Sequence, residues 1–324
     1  MQQPAPKWIS QLELFADAAA QVPAEGLVPY QINTPLFSDY AEKYRFVGIP
    51  PHSRARYRDP EVPDFPVGTV LVKTFAYPSL SESGLNLLET RLLVHRQGGW
   101  DALAYVWNED QTDARLKVAG ARLAVAFNDP AGRHRQISYL VPNKNQCAGC
   151  HAVNRQVLPI GPTIRQLNGP QHYADAGVQN QVEYWTRHGL LSGAPKPTRQ
   201  KPWPVSVRWN DEQASLDARA RSYLEINCAH CHRPEGAASH TNLYLRASDV
   251  GLNIGLNKKP VAAGRGSGAL TRVLVPGAPD ESILLFRMDN NTDPDIMMPE
   301  LGRVLNHDEG IDLIRRWISS LDER

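Results

Sequence analysis

All four cysteines of this 324-residue chain stand in two five-residue strings, Cys147-Ala-Gly-Cys150-His151 and Cys228-Ala-His-Cys231-His232. C-x-x-C-H is the attachment signature of c-type haem. Two thiols three residues apart match the two vinyl groups that they alkylate, and the adjacent imidazole stands at the iron as its proximal ligand. A single zinc held by all four cysteines is the main rival, and it leaves both trailing histidines unexplained. A thioredoxin-like dithiol would sit in a βαβ pattern, which neither pair does. A disulfide within a C-x-x-C pair would be strained and could not staple distant segments. The strings therefore predict two covalently bound haem c groups. Cys147 and Cys150 hold the first, Cys228 and Cys231 the second, with His151 and His232 as the iron ligands.

The rest of the composition narrows the setting. Hydrophobic residues make up 42% and charged residues 21%, which suits a folded chain. A formal net charge of +1 argues against a polyanion-binding surface, so no nucleic-acid partner is expected. No run approaches the roughly 18 apolar residues of a membrane span, and no apolar leader core follows Met1. The expectation is a chain without a transmembrane segment whose signal peptide has been removed.

Along the chain the pattern is α+β and multidomain. Residues 1–141 read as a β-rich domain, an antiparallel sandwich or small barrel. Val67–Phe75, Leu87–Val94, Trp100–Trp107 and Gln136–Val141 are its clearest strands, with Gln97-Gly-Gly99 as a hairpin turn. Only Leu12–Ala20 looks helical there. Two mainly α cytochrome c-like haem units are expected to follow, a truncated one over 142–205 and a fuller one over 206–324.

The second unit has the order of a class I cytochrome c domain. Asn210 can cap a helix that runs into Cys228, and a Met297-Met-Pro-Glu-Leu-Gly302 loop follows later. A closing helix from His307 to Leu321 has Asn306 and Glu309 at capping-box spacing, and Ile311, Ile314, Trp317, Ile318 and Leu321 on its apolar face. Thioether sulfur is a soft ligand that raises the potential of haem iron. Met298, directly before Pro299, is the expected sixth ligand of the second haem, and Met297 is its rival.

The first unit is shorter. His151 to Trp185 spans 34 residues, against 85 from His232 to Trp317. Asn180 and Glu183 repeat the capping-box spacing, and Gly189 ends that helix. Its haem must complete its pocket with other material, and the β-rich domain is the natural source. The unit holds no methionine. His172 is the candidate sixth ligand there, Tyr173 its rival, and His52, His95 and His134 are further candidates; an open or water-bound iron is the other alternative.

Several strings together resemble a family of bacterial di-haem c-type cytochromes. They are Asn33–Ala41, Phe65–Lys73, Leu88–Arg91, Tyr105–Asp113, Tyr139–Cys147, Arg219–Cys228, Pro260–Gly268 and Met298–Arg303, and they cover nearly the whole chain. The resemblance implies export to the periplasm or elsewhere in the bacterial envelope, two covalent haems and a redox partner protein. It supplies no substrate, and no catalytic residue is carried over from it.

Other features point less far. Asp289–Asp295 has oxygen ligands at calcium-like spacing but lacks the glycine and bidentate glutamate of a standard loop, so a solvated acidic turn is expected. The glycine-rich stretch Ala262–Gly268 lacks a strand-loop-helix setting, although Arg265 could pair with a haem propionate. Lys73, Glu89, Arg91 and His95 lie on strands whose alternation could aim them inward, as an ion network or as haem lining. Two functions follow as expectations. The first is an electron-transfer cytochrome in which both irons are capped. The alternative is a di-haem oxidoreductase of the peroxidase kind, with small-oxidant chemistry at the first haem and electron transfer at the second.

Overall fold

A computed structural model of the chain describes residues 4–322 except 60, 81–83, 155, 262 and 263. It contains 22% helix and 28% strand around a multi-stranded antiparallel sheet, so the chain is mixed in class. Two compact units are present: residues 1–33, 40–151 and 156–205 form the first, and residues 34–39, 152–155 and 206–324 the second.

The first unit is built on six antiparallel strands in chain order: β1 (Leu27–Pro29), β2 (Glu42–Gly48), β3 (Val70–Pro78), β4 (Leu85–Arg96), β5 (Gly99–Trp107) and β6 (Ala114–Leu116). The β4–β5 hairpin pairs Arg96 with Gly99, whose φ of 110° only glycine adopts without strain. Period-two alternation gives the sheet two faces. One carries Phe46, Val72, Ala76, Leu87, Leu92, Tyr105 and Trp107 into an apolar core closed by Ile9 and Leu14. The other carries Phe75 and Tyr77. A separate two-stranded ribbon, β7 (Ala121–Asn128) with β8 (His134–Val141), packs there through the stacked Tyr77–Phe127 pair, 4.0 Å between centroids.

The helix expected over Leu12–Ala20 does not form. A 3-10 turn at Ile9–Leu12 ends at Glu13 in the left-handed region, and Phe15–Asp17 is a short strand. Phe15 meets Phe46 and Trp107 at 6.0 and 6.3 Å, and this aromatic packing overrides a weak helical periodicity. Beyond the ribbon come α1 (Lys144–His151), a hairpin of β9 (Pro170–Tyr173) with β10 (Gly177–Asn180), and α2 (Gln181–Arg187). Asn180 caps α2 by accepting from the N–H groups of Val182 and Glu183, and Gly189 follows at a φ of 73°.

The second unit is helical. Its helices α3 (Leu216–Cys228), α4 (Ile283–Met288) and α5 (Asp308–Ser319) bury Ala220, Leu224, Leu285, Ile314, Trp317 and Ile318 against one another. The Trp317 indole N–H donates to Asp217 at 2.8 Å. Ser215, rather than Asn210, caps α3. Asn306 does not cap α5, because its side chain is taken up by Arg303 and Asp289, and His307 occupies the N-cap position.

The α3–α5 crossing depends on Gly310, where a Cβ would fall inside contact distance of the Tyr223 ring and His307. Gly310→Ala is therefore expected to destabilise this unit by about 1–3 kcal/mol through overpacking, despite a helix-propensity gain of about 1 kcal/mol. Urea unfolding checks this, and a midpoint unchanged or raised would mean that the crossing is looser than the structure has it.

Candidate functional site

The first C-x-x-C-H lies on α1, which a reciprocal box opens: Asn143 Oδ1 accepts from the Gln146 N–H at 2.9 Å, and Gln146 Oε1 accepts from the Asn143 N–H at 3.0 Å. The ion pair from Lys144 Nζ to Asp101 on β5, at 2.8 Å, ties the helix to the sheet. Cys147 and Cys150 fall one turn apart on the same side of the helix. His151 Nδ1 lies 2.8 Å from the Leu158 carbonyl. That contact requires the proton on Nδ1 and leaves the Nε2 lone pair as the donor a metal needs, the usual way a second partner orients a ligating imidazole.

Elsewhere in the first unit, Arg45 Nη2 is buried without a partner at hydrogen-bond geometry, and the buried Tyr173 hydroxyl and Trp185 Nε1 adjoin one another without closing a bond of full geometry. Tyr173 is 1% exposed and stacks on Tyr184 at 3.5 Å, while His172 sits on the exposed side of the same strand. His52 and His134 are exposed. His95 stacks on Trp100 at 4.5 Å, and its Nδ1 lies 2.9 Å from the Phe65 carbonyl. Burial pushes the Cys147 thiol up in pKa, against the pull of Arg91. A redox dithiol needs the reverse.

The second C-x-x-C-H follows directly from α3. Cys228 ends the helix, and its carbonyl accepts from the N–H groups of Cys231 and His232 at 3.1 and 2.9 Å, so the string is wound as one further turn. Burial raises the Cys228 thiol to about 12 and lowers the His232 imidazole to about 4, which keeps that ring neutral at pH 7. Its buried Nδ1 has no partner at hydrogen-bond geometry, although the nearby Leu243 backbone slightly favours the charged ring.

A small cavity opens beside Cys228. Its wall includes Tyr223, Asn227, Met298, Pro299, Arg303 and Phe37. The structure thus brings Met298 to the same cavity as Cys228, while its neighbour Met297 is 8% exposed and does not line it. Arg303 holds the loop in place. Its Nη2 donates to the carbonyls of Met288, Asn290 and Met298 at 2.9, 2.8 and 2.8 Å, and its Nη1 to Leu305 O and Asn306 Oδ1.

Two contributors were invisible in the sequence. The short segment 34–39 belongs to this unit. Phe37 stacks on His307 at 4.3 Å and donates its N–H to Asn227, while Asp39 accepts from the N–H groups of Val304 and Leu305. Local pattern carries no signal for contacts made across so much chain.

Outside the cavity, Arg265 is 69% exposed and pairs with Asp293 and Asp295 at 3.0 and 2.9 Å. Two carboxylates of the acidic turn are thereby engaged by a cation of the chain itself. Of the glycine-rich stretch, residues 262 and 263 lie outside the described residues.

Both turns fit a covalently tethered macrocycle. The paired cysteines are one turn apart, the imidazoles are neutral or oriented, and each unit holds buried polar atoms without a partner at hydrogen-bond geometry. Among the described residues no helix is long and apolar enough to cross a membrane. Comparison with known protein families, curated proteins and solved structures finds no match to this chain.

Proposed function

We propose that the chain is an exported di-haem c-type cytochrome of the bacterial envelope that passes electrons between two haems and a redox partner protein. The observation carrying this reading is the cavity that brings Cys228 and Met298 together from positions seventy residues apart. Haem, when bound, supplies a one-electron iron couple. The chain's residues do the rest. Cys147, Cys150, Cys228 and Cys231 tether, His151 and His232 ligate, and Met298 closes the second site under the hold of Arg303. Pro299, Leu301 and Ile311 give that site apolar surface beside the polar Tyr223, Asn227 and Arg303. In this reading the chain comprises two cytochrome c-like haem units, the first completed by the β-rich part.

A second reading, the peroxidase-like oxidoreductase, rests on the first unit, whose described residues include no methionine. Low-temperature EPR of the oxidised protein, with peroxide titration, separates the two. Two low-spin signals inert to peroxide support the carrier. A high-spin ferric signal consumed by peroxide means that the first iron is open and the chain an enzyme.

Haem stoichiometry tests what both readings share. Pyridine haemochrome assay is expected to give two haems per chain, and Cys147→Ala/Cys150→Ala and Cys228→Ala/Cys231→Ala to give one each. Covalent haem below two per chain in the native protein would overturn the di-haem reading.

A further inference from the structure

Three cations stand side by side across the sheet. Arg45 on β2 is the register partner of Lys73 on β3, and Lys73 is the register partner of Arg91 on β4. Directly opposed residues of antiparallel strands share a face, with Cβ atoms about 5 Å apart, and like charges so placed repel. Among the described residues one carboxylate pairs with this row. Glu89, fully buried, takes a bidentate ion pair from Arg91 at 2.5 and 2.9 Å and accepts from the Tyr139 hydroxyl at 2.8 Å.

Among the described residues, neither Arg45 nor Lys73 makes an ion pair of its own, and Glu89 acts on Lys73 only at a distance. Arg45 is 5% exposed, and its Nη1 reaches only neutral oxygens, those of Gln31 and the Lys43 backbone, while its Nη2 has no partner. Lys73 makes no hydrogen bond among the described residues and lies over the Phe75 ring at 4.6 Å. Burial, together with Arg45, Arg91 and Lys43, drives its ammonium well below the usual lysine range, against the opposing pull of Glu89. Arg45 is buried and Lys73 and Arg91 are half-buried, and like charge at this spacing favours a counter-charge.

The row begins at the first C-x-x-C-H. The Cys147 thiol lies within electrostatic reach of Arg91 and Glu89. On the next strand Arg91 faces Ala104, with Ala102 two residues before it on the same face, so that strand presents small side chains at both positions. Two strand spacings of about 4.8 Å separate Arg91 from Arg45, about the width of a porphyrin. At the Arg45 end, Tyr30 is coupled to the guanidinium and packs edge-on to Trp185 at 6.0 Å. Trp185 brings an indole N–H that adjoins the Tyr173 hydroxyl without closing a bond of full hydrogen-bond geometry.

We propose that Arg45, Lys73 and the Trp185 indole N–H form a carboxylate site on the sheet, which seats the propionates of the haem tethered at Cys147 and Cys150. The inference rests on the di-haem reading. It makes the β-sheet the missing wall of the truncated haem unit and sets the electrostatics of that haem alone.

The test uses the holo-protein. Wild-type haem stoichiometry comes first, since a value below two overturns the di-haem reading itself. With two haems present, Lys73→Met is expected to shift the first haem's reduction equilibrium about tenfold towards the ferric form. Removal of one cation about 10 Å away has that effect at an effective dielectric near 20, and it corresponds to about 59 mV for one electron. The second haem should not move, and Lys73→Arg should restore the wild-type value. Trp185→Phe changes no charge, so it separates contact from distant electrostatics. It is expected to shift the propionate bending band of the first haem in resonance Raman spectra. Two haems per chain, with that band and both potentials unchanged in the two variants, would overturn the proposal. Acetate is the control for a solution anion. If acetate shifts the first haem's potential in the native protein, the row binds free carboxylate, and the propionate assignment fails.

Discussion

Met298→Ala is expected to turn the second haem high-spin and to lower its potential by a substantial part of the roughly 0.8 V that axial ligands command. Thioether sulfur favours ferrous iron, and its loss leaves water or nothing in its place. The neighbouring variant supplies the contrast. Met297 is buried away from the cavity, so Met297→Ala should cost about 2–5 kcal/mol of stability while the spectrum stays low-spin. Optical and EPR spectra with a potentiometric titration check both. A second haem unmoved by Met298→Ala, or lost only in Met297→Ala, would remove Met298 from the iron.

Arg303→Met is expected to be the most destabilising change in the second unit. The guanidinium, 7% exposed, serves five acceptors in three chain segments. Each buried carbonyl left without a donor costs about 1–3 kcal/mol. Even partial relaxation leaves a loss of about 4 kcal/mol or more, which for a unit of this size lowers Tm by about 8–16 °C. The functional signature differs from simple instability. The Met298 carbonyl loses its anchor, so the Met-to-iron charge-transfer band should weaken at temperatures where the unit is still folded. Arg303→Lys should retain one of the carbonyl contacts and fall between the two. A Tm within about 2 °C of the native value in Arg303→Met would mean that other contacts hold the loop.

Much of this architecture is legible from local pattern, and the reasons are physical. Strands β4 and β5 announce themselves because β-branched and aromatic runs flank a Gly-Gly turn, and the turn forces their register. Helix α5 is read from its apolar stripe. Asn180 is read as a cap because its side chain can serve two N–H groups and little else competes for it. Asn306 fails the same reading because Arg303 and Asp289 compete successfully for its amide. Leu12–Ala20 fails because Phe15 gains more from Phe46 and Trp107 than a short helix would supply. The cationic row lay half in view. Alternation shows that Lys73 and Arg91 could face inward, but only the strand register sets them beside Arg45.

The contribution of segment 34–39 has a kinetic consequence. Phe37 bonds to a residue 190 positions later, and Asp39 to residues 265 and 266 positions later. Phe37 and Asp39 are synthesised well before their partners at 227, 304 and 305. Closing such long loops is entropically slow, and nothing local rewards it on the way. The wall of the cavity beside Cys228 is therefore finished late, after the helices that frame it. Until then Cys228 and the turn after it face an incomplete pocket.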